Sequence, residues 1–198
     1  MDEGYIKYHC NWIEANNTFT EQVAALNVWR DVMYQKGWMG MYSNGIGYGN
    51  ISMRINGNTF LISGTATGGV EKLDDRHYCL VEAYSIEHNS VTCRGPIKAS
   101  SESLTHAMIY ETSPEINAVI HIHNMDMWND MKNKIPTSHE AVAYGTTEMA
   151  LEIKRLFTTT QLAFSKIMVM AGHEEGIISF GKDIAEAGNI LMDAMSTR

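Results

Sequence analysis

The stretch Val119-Ile120-His121-Ile122-His123-Asn124 sets two histidines two residues apart inside an apolar run. Residues 118–123 read as a strand. Side chains alternate between the two faces of a strand, so both imidazoles leave the same face, close enough to share one ion. Neutral imidazole is the commonest nitrogen ligand of Zn2+. The same pair also suits an edge strand with two surface histidines, so the reading needs support from elsewhere in the chain.

Working outward, Ser100-Ser101 caps a helix over 102–111 that ends before Ser113-Pro114. A helix is expected over 146–158, strands over 166–171 and 176–180, and a closing amphipathic helix over 183–195. Toward the N-terminus, Thr20 is placed to cap a helix over 22–36, where Val23, Leu26, Trp29, Val32 and Met33 recur at helical spacing. Gly37 stops it. Strands over 51–55 and 59–63 flank the turn residues Asn56-Gly57, and a second hairpin spans 84–97 through His88-Asn89-Ser90. Residues 1–18 form a lead-in, with Tyr5-Ile6-Lys7-Tyr8 as a strand. Helices thus alternate with antiparallel hairpins, which predicts a layered α/β fold with helices on a mainly antiparallel sheet. No repeat, low-complexity tract or Pro/Ser-rich linker divides the chain, so 1–198 reads as a single domain.

Three further pieces bear on the histidine pair. His173 sits in the glycine-bracketed turn Gly172-His173-Glu174-Glu175-Gly176, which can carry a third imidazole to the same ion. Glu102 follows two serines at a helix start. There it is either a dipole-favoured acid or, pointed into a pocket, a general base or fourth ligand. The turns around Gly49-Asn50-Ile51-Ser52 and Ser63-Gly64-Thr65-Ala66-Thr67-Gly68-Gly69 expose successive N–H groups and hydroxyls that can cradle a phosphate without Lys or Arg. They also serve as plain hairpin connections. Neither is a P-loop or a dinucleotide fingerprint.

Composition narrows the partners. A net charge of −8 with 15 scattered basic residues argues against nucleic-acid binding, which needs a field of cations. No apolar run is long enough to span a bilayer, and Met1-Asp2-Glu3-Gly4 does not open a signal peptide. Cys10, Cys79 and Cys93 are widely spaced, as expected of reduced thiols in a cytoplasmic protein. His9, His77, His88 and His106 lack ligand spacing and read as surface or satisfied histidines. The four tryptophans read as core or interface anchors, although Trp128 with Met125 and Met127 hints at an apolar wall for a substrate tail.

Taken in order, Gly49-Asn50-Ile51-Ser52, Ile62-Ser63-Gly64-Thr65, Ser100-Ser101-Glu102, His121-Ile122-His123 and Gly172-His173 resemble the class II aldolase/adducin family over residues 20–195. The resemblance implies a three-layer αβα fold, usually in a homotetramer with active sites between subunits. It implies Zn2+, or Mn2+, Co2+ or Fe2+, on His121, His123 and His173, with Glu102 as acid/base and resting-state ligand. A substrate phosphate would lie on Gly49, Asn50, Ser63, Gly64, Thr65, Ser100 and Ser101, with Thr67 an alternative to Thr65. Aldolases of the family carry a tyrosine beyond the metal strand that helps protonate the aldehyde oxygen. Here Glu140 stands near that place, beside His139, as in the dehydratase branch. The expected activity is reversible aldol cleavage of a small phosphorylated ketose. Dehydration of a ketose 1-phosphate of the methylthioribulose type through Glu140, epimerisation of a pentulose phosphate, and a non-catalytic adducin-like assembly role are the rivals.

Overall fold

The computed structural model describes residues 5–196, so the Met1–Gly4 reading lies outside the described residues. Eight strands form one sheet in the order β1-β7-β6-β5-β4-β8-β10-β9. They are β1 (His9–Glu14), β4 (Asn50–Asn56), β5 (Thr59–Ser63), β6 (Tyr78–Ser85), β7 (Ser90–Gly95), β8 (Ala118–His123), β9 (Ile167–Val169) and β10 (Gly176–Gly181). A separate two-stranded ribbon pairs β2 (Gly40–Met41) with β3 (Gly47–Tyr48).

The expected mainly antiparallel sheet is corrected to a large mixed one, because β1 lies parallel to β7 at the edge. The lead-in strand is also misplaced in the sequence reading: it is 9–14, not 5–8. Tyr8 instead turns its hydroxyl to the carbonyls of Ala99 and Ser100, at 3.1 and 2.9 Å.

Helices cover both faces. On one side α2 (Ser103–Thr112), α4 (Thr147–Thr159) and α5 (Leu162–Ser165) pack on Phe60, Ile62, Val81, Cys93, Val119, Ile178 and Phe180. On the other, α1 (Thr20–Gln35), α3 (Met125–Met131) and α6 (Ile184–Ser196) pack on Ile51, Leu61, Ala118, Ile120, Ile122 and Ile177. Among the described residues no helix is long and apolar enough to cross a membrane.

The alternation along β8 positions the site. Ile120 and Ile122 are fully buried toward α1, α3 and α6, and Val119 is fully buried toward α2 and α4. Each such side chain contributes roughly 1.5–3 kcal/mol by leaving water. A one-residue slip would turn all of them to the wrong face, so the register is fixed, and with it the α2-facing side for His121 and His123. β8 is also an interior strand, with Asn50 of β4 and Ile178 of β10 both opposite His121.

Other departures have local causes. Thr20 begins α1 rather than capping it, and its hydroxyl donates to Asp75. β6 starts at Tyr78, well before 84, because an irregularity between Val81 and Ala83 breaks the period-two pattern. α3 was read as pocket wall; Asn124 caps it at Met127 N, and Met127 and Trp128 pack into the core instead of lining a cleft.

Candidate metal centre

His121 and His123 come from β8, and His173 from the β9–β10 turn. One nitrogen from each ring lies within 4.8 Å of the others. His123 Nε2 and His173 Nε2 are 3.0 Å apart, close to the ~3.3 Å edge of a tetrahedral zinc site with Zn–N near 2.0 Å. All three rings are buried, at 1%, 3% and 7% exposure. Glycine brackets His173 for steric reasons. A Cβ on Gly172 would come within 2.1 Å of the Val142 carbonyl, and one on Gly176 within 2.6 Å of the His173 ring.

Glu102 is the N-cap residue of α2, yet its side chain makes no cap bond. Instead Oε2 contacts His121 Nδ1 and accepts from Asn50 Nδ2 at 2.8 Å. Giving up an N-cap bond costs about 1 kcal/mol, and such a lapse in local preference marks functional positions. Burial opposes ionisation of Glu102, but His121, His173 and Asn50 outweigh it and hold the carboxyl well below its ordinary range. Burial pushes His121 and His173 down, so both imidazoles are neutral, the form that ligates metals.

The donor set fits a divalent cation on two counts. A neutral His121 that donates from Nδ1 to the carboxylate keeps its lone pair on Nε2. That atom is buried without a hydrogen-bond partner, as is Glu102 Oε1. A buried nitrogen and a buried carboxylate oxygen without partners would each cost about 1–3 kcal/mol or more unless something binds them.

The cleft above is lined by Gly49, Asn50, Gly64, Thr65, Ser100 and Ser101, with Ala66, Thr67, Gly68 and Tyr144. Gly49 has φ +78°, and a Cβ there would meet Met39 at 2.6 Å, so only glycine lets this strand start pass beside His121. Of the expected phosphate residues Ser63 is the exception. Its hydroxyl accepts from Ile51 N and it does not line the cleft. Thr67 spends its hydroxyl on the Gly64 carbonyl at 2.7 Å, closing the turn. The lining holds no Lys or Arg. Behind it, buried Arg30 donates to the carbonyls of Thr67, Gly68, Val70 and Glu71 and so fixes the turn's shape.

His139 and Glu140 are not brought to this cleft. They line a separate depression with Lys132 and Arg155. The Glu140 side chain is 74% exposed, with Lys132 Nζ at 3.5 Å, because the backbone of 140–142 is what packs against Gly172. Three residues absent from the sequence reading do reach the centre. Tyr144 is buried with its ring 4.5 Å from that of His173. Tyr42 bonds His123 Nδ1 and Glu175, and Tyr48 stacks at 5.2 Å on His123. The family's tyrosine beyond the metal strand was the one available signal for Tyr144, four residues past Glu140, the residue placed there in the sequence reading. Past His173 a hollow of about 560 Å³ opens between Lys7, Tyr42, Asn44, Tyr144 and Glu174. A groove of about 580 Å³ at the far end of α2 shares no residue with the centre.

The fold matches solved structures at low identity. L-fuculose 1-phosphate aldolase superposes with a TM-score of 0.67 at 16% identity, covering 91% of this chain and 84% of that one. A sugar-phosphate aldolase from Thermotoga maritima gives 0.64 at 20%, covering 88% and 90%. L-fuculose 1-phosphate aldolase from Glaciozyma antarctica PI12 gives 0.58 at 14%, covering 89% and 72%. No curated protein sequence matches the chain. Residues 28–194 match the sequence profile of the Class II Aldolase and Adducin N-terminal domain. On that match over most of its length, and with the ordered motifs converging on one cleft, the chain belongs to the class II aldolase and adducin family.

Proposed function

We propose that the protein is a metal-dependent lyase that reversibly cleaves a small phosphorylated ketose. The observation that carries this is the convergence of three buried imidazoles beside an ionised Glu102, at the floor of a glycine- and serine-lined cleft. His121, His123 and His173 would hold the cation, Zn2+ or another divalent ion, with Glu102 as a further ligand at rest. Once bound, the cation supplies Lewis acidity that favours negative charge on the oxygens of an enediolate.

The chain's own residues do the rest. Gly49, Asn50, Gly64, Thr65, Ser100 and Ser101 would take the phosphate, and Thr67, whose hydroxyl donates to the Gly64 carbonyl, shapes the turn that carries them. In the direction of synthesis, ionised Glu102 takes the proton from carbon beside the ketone, and the electron pair forms the enediolate double bond. That carbon then bonds to the aldehyde carbon, and the aldehyde oxygen gains a proton. Tyr144, buried at the cleft beside His173, is better placed to give it than His139 or Glu140. Cleavage is the reverse, with Glu102 returning its proton to the enediolate carbon.

Dehydration and epimerisation use the same start. The dehydratase reading depends on Glu140, whose carboxylate stands outside the cleft, so nothing here favours it. We read the chain as one domain of a cytoplasmic homotetramer. Protein purified without chelator should carry about one divalent ion per chain and release an aldehyde from a ketose 1-phosphate. Stripped protein should regain that activity when Zn2+ is returned. Equal inactivity of stripped and replete protein across ketose 1-phosphates would sink the reading.

A further inference from the structure

On the side away from His173, His123 meets a chain of two more groups. Its Nδ1 lies 2.8 Å from the Tyr42 hydroxyl, and that hydroxyl lies 2.6 Å from Glu175 Oε2. The direct distance from His123 Nδ1 to Glu175 is 3.6 Å, so the phenol is the bridge. An ionised carboxylate only accepts, and a phenol has one proton to give. With Tyr42 donating to Glu175 at 2.6 Å, its oxygen is left to accept from His123 at 2.8 Å, the arrangement in which the ring proton sits on Nδ1. The lone pair is then on Nε2, the atom that faces His173 Nε2 at 3.0 Å.

We propose that Tyr42 and Glu175 are a positioning pair that fixes the tautomer and ring orientation of His123 for metal binding. The inference rests on reading the three-histidine centre as a divalent-metal site. Both members stand on well-tied turns. Tyr42 closes the β2–β3 ribbon through its N–H to Ile46 O at 2.8 Å and its carbonyl to Gly45 N–H at 2.9 Å. Its ring packs 4.5 Å from that of Tyr48, which itself covers His123. Glu175 adopts φ +67° in the turn after β9, and its carbonyl accepts from Asn124 N at 2.9 Å.

One turn therefore delivers two things at once: the third ligand, His173, and the carboxylate that orients the second, His123. Glu102 does the equivalent for His121 on the opposite side. A partner that sets a metal-bound histidine is typically worth about 10–100-fold in metal affinity.

The test uses the full chain, stripped with chelator, and measures Zn2+ affinity by competition with a chelating dye. Melting temperature is read with and without Zn2+. Tyr42→Phe should weaken Zn2+ binding about 10–100-fold, while the metal-free melting temperature stays within a few degrees of the parent protein. Glu175→Gln keeps an acceptor oxygen for Tyr42 and should fall between the two. Affinity of Tyr42→Phe within about threefold of the parent, where a positioning partner predicts tenfold or more, overturns the proposal. So does a metal-free melting temperature that collapses in both variants, since the pair would then be holding the fold. Failure of the parent protein itself to bind Zn2+ defeats the metal reading and this inference with it, an outcome distinct from the other two.

Discussion

The three imidazoles of the centre and the pair His139–Glu140 both lie beyond Glu102 in one chain, and the fold holds them in opposite ways. The imidazoles are buried, with one nitrogen of each within 4.8 Å of the others and a carboxylate against them. Glu140 projects into solvent beside Lys132, and His139 is exposed, its backbone N–H bonded to Glu152. The difference lies in what fixes each position. β8 cannot move without unburying Val119, Ile120 and Ile122, so its histidines inherit the precision of the core. The segment after Pro136 is pinned by buried Ser138, whose hydroxyl accepts from Ala171 N, and by the His139 N–H to Glu152, neither of which turns the His139 and Glu140 side chains inward.

That contrast predicts its own largest test. His173→Ala should cost the protein most of its bound metal and lower kcat by about 10³-fold or more, a loss of about 4 kcal/mol in transition-state stabilisation. His139→Ala, in the exposed segment, should keep the metal content. Equal metal loss in both would erase the distinction; elemental analysis beside turnover decides it.

The next effect probes what stiffens the buried side. Arg30 is 1% exposed and its donors go to carbonyls of the turn that roofs the cleft. Burial works against its charge, Tyr78 and Asp31 oppose that effect, and the guanidinium N–H groups are satisfied by those carbonyls. Arg30→Met would strand several of them and should destabilise the chain by about 3 kcal/mol, seen as a lower denaturation midpoint in urea. Arg155, half exposed and paired to Glu152 in the outer segment, should cost under about 1 kcal/mol when made Met.

A smaller effect comes from His106, which hydrogen-bonds Ser52 at 2.7 Å behind Glu102. Burial lowers its pKa to about 3. The unfolded chain takes up a proton near pH 6.5 and the folded chain does not until about 3. This part of the stability is therefore whole above 6.5 and is lost as pH falls toward 3, by about 2 kcal/mol at pH 5. Urea midpoints of stripped protein at pH 7 and pH 5 should show it together with the same-signed shares of His121 and His173, and His106→Asn should narrow the difference by about 2 kcal/mol. An unchanged slope would mean that His106 is charged in the folded state.

How much of this was legible follows from the range of the forces involved. β8 was read to the residue, because an apolar run with a fixed period carries its own register. The hairpin at Asn56-Gly57 was equally local. The ordered motifs found the centre because each is short and strand- or turn-borne. Tyr42 was out of reach: it lies 81 residues from His123, and nothing in Met41-Tyr42-Ser43 announces an imidazole. Glu175 was seen beside His173 but orients His123 instead, since the turn folds it back across β8. The parallel edge strand was missed because its partner β7 lies some 80 residues on. Glu102 reads from its position either as a helix-start acid or as a base or ligand beside the ion, and its contacts with His121 and Asn50 are what place the carboxylate at the centre.

The smallest expected effect is the sharpest on the comparison itself. Glu140→Gln removes a charge whose carboxylate lines no part of this chain's cleft, and whose partner Lys132 is a surface pair worth under about 1 kcal/mol. Turnover should change by less than about threefold, or about 0.7 kcal/mol, with metal content intact. A loss of about 100-fold with full metal would instead mean that the carboxylate acts in the cleft of another copy, where the reading from this chain alone places none. Mixing Glu140→Gln with His173→Ala protein separates the cases. Each variant then supplies what the other lacks, so activity reappears only if one copy's Glu140 serves another's histidines. Turnover and metal content both kept in Glu140→Gln would leave the exposed segment outside the chemistry, as the reading of a buried centre with Tyr144 expects, whereas a large loss without recovery on mixing would place Glu140 in its own chain's chemistry.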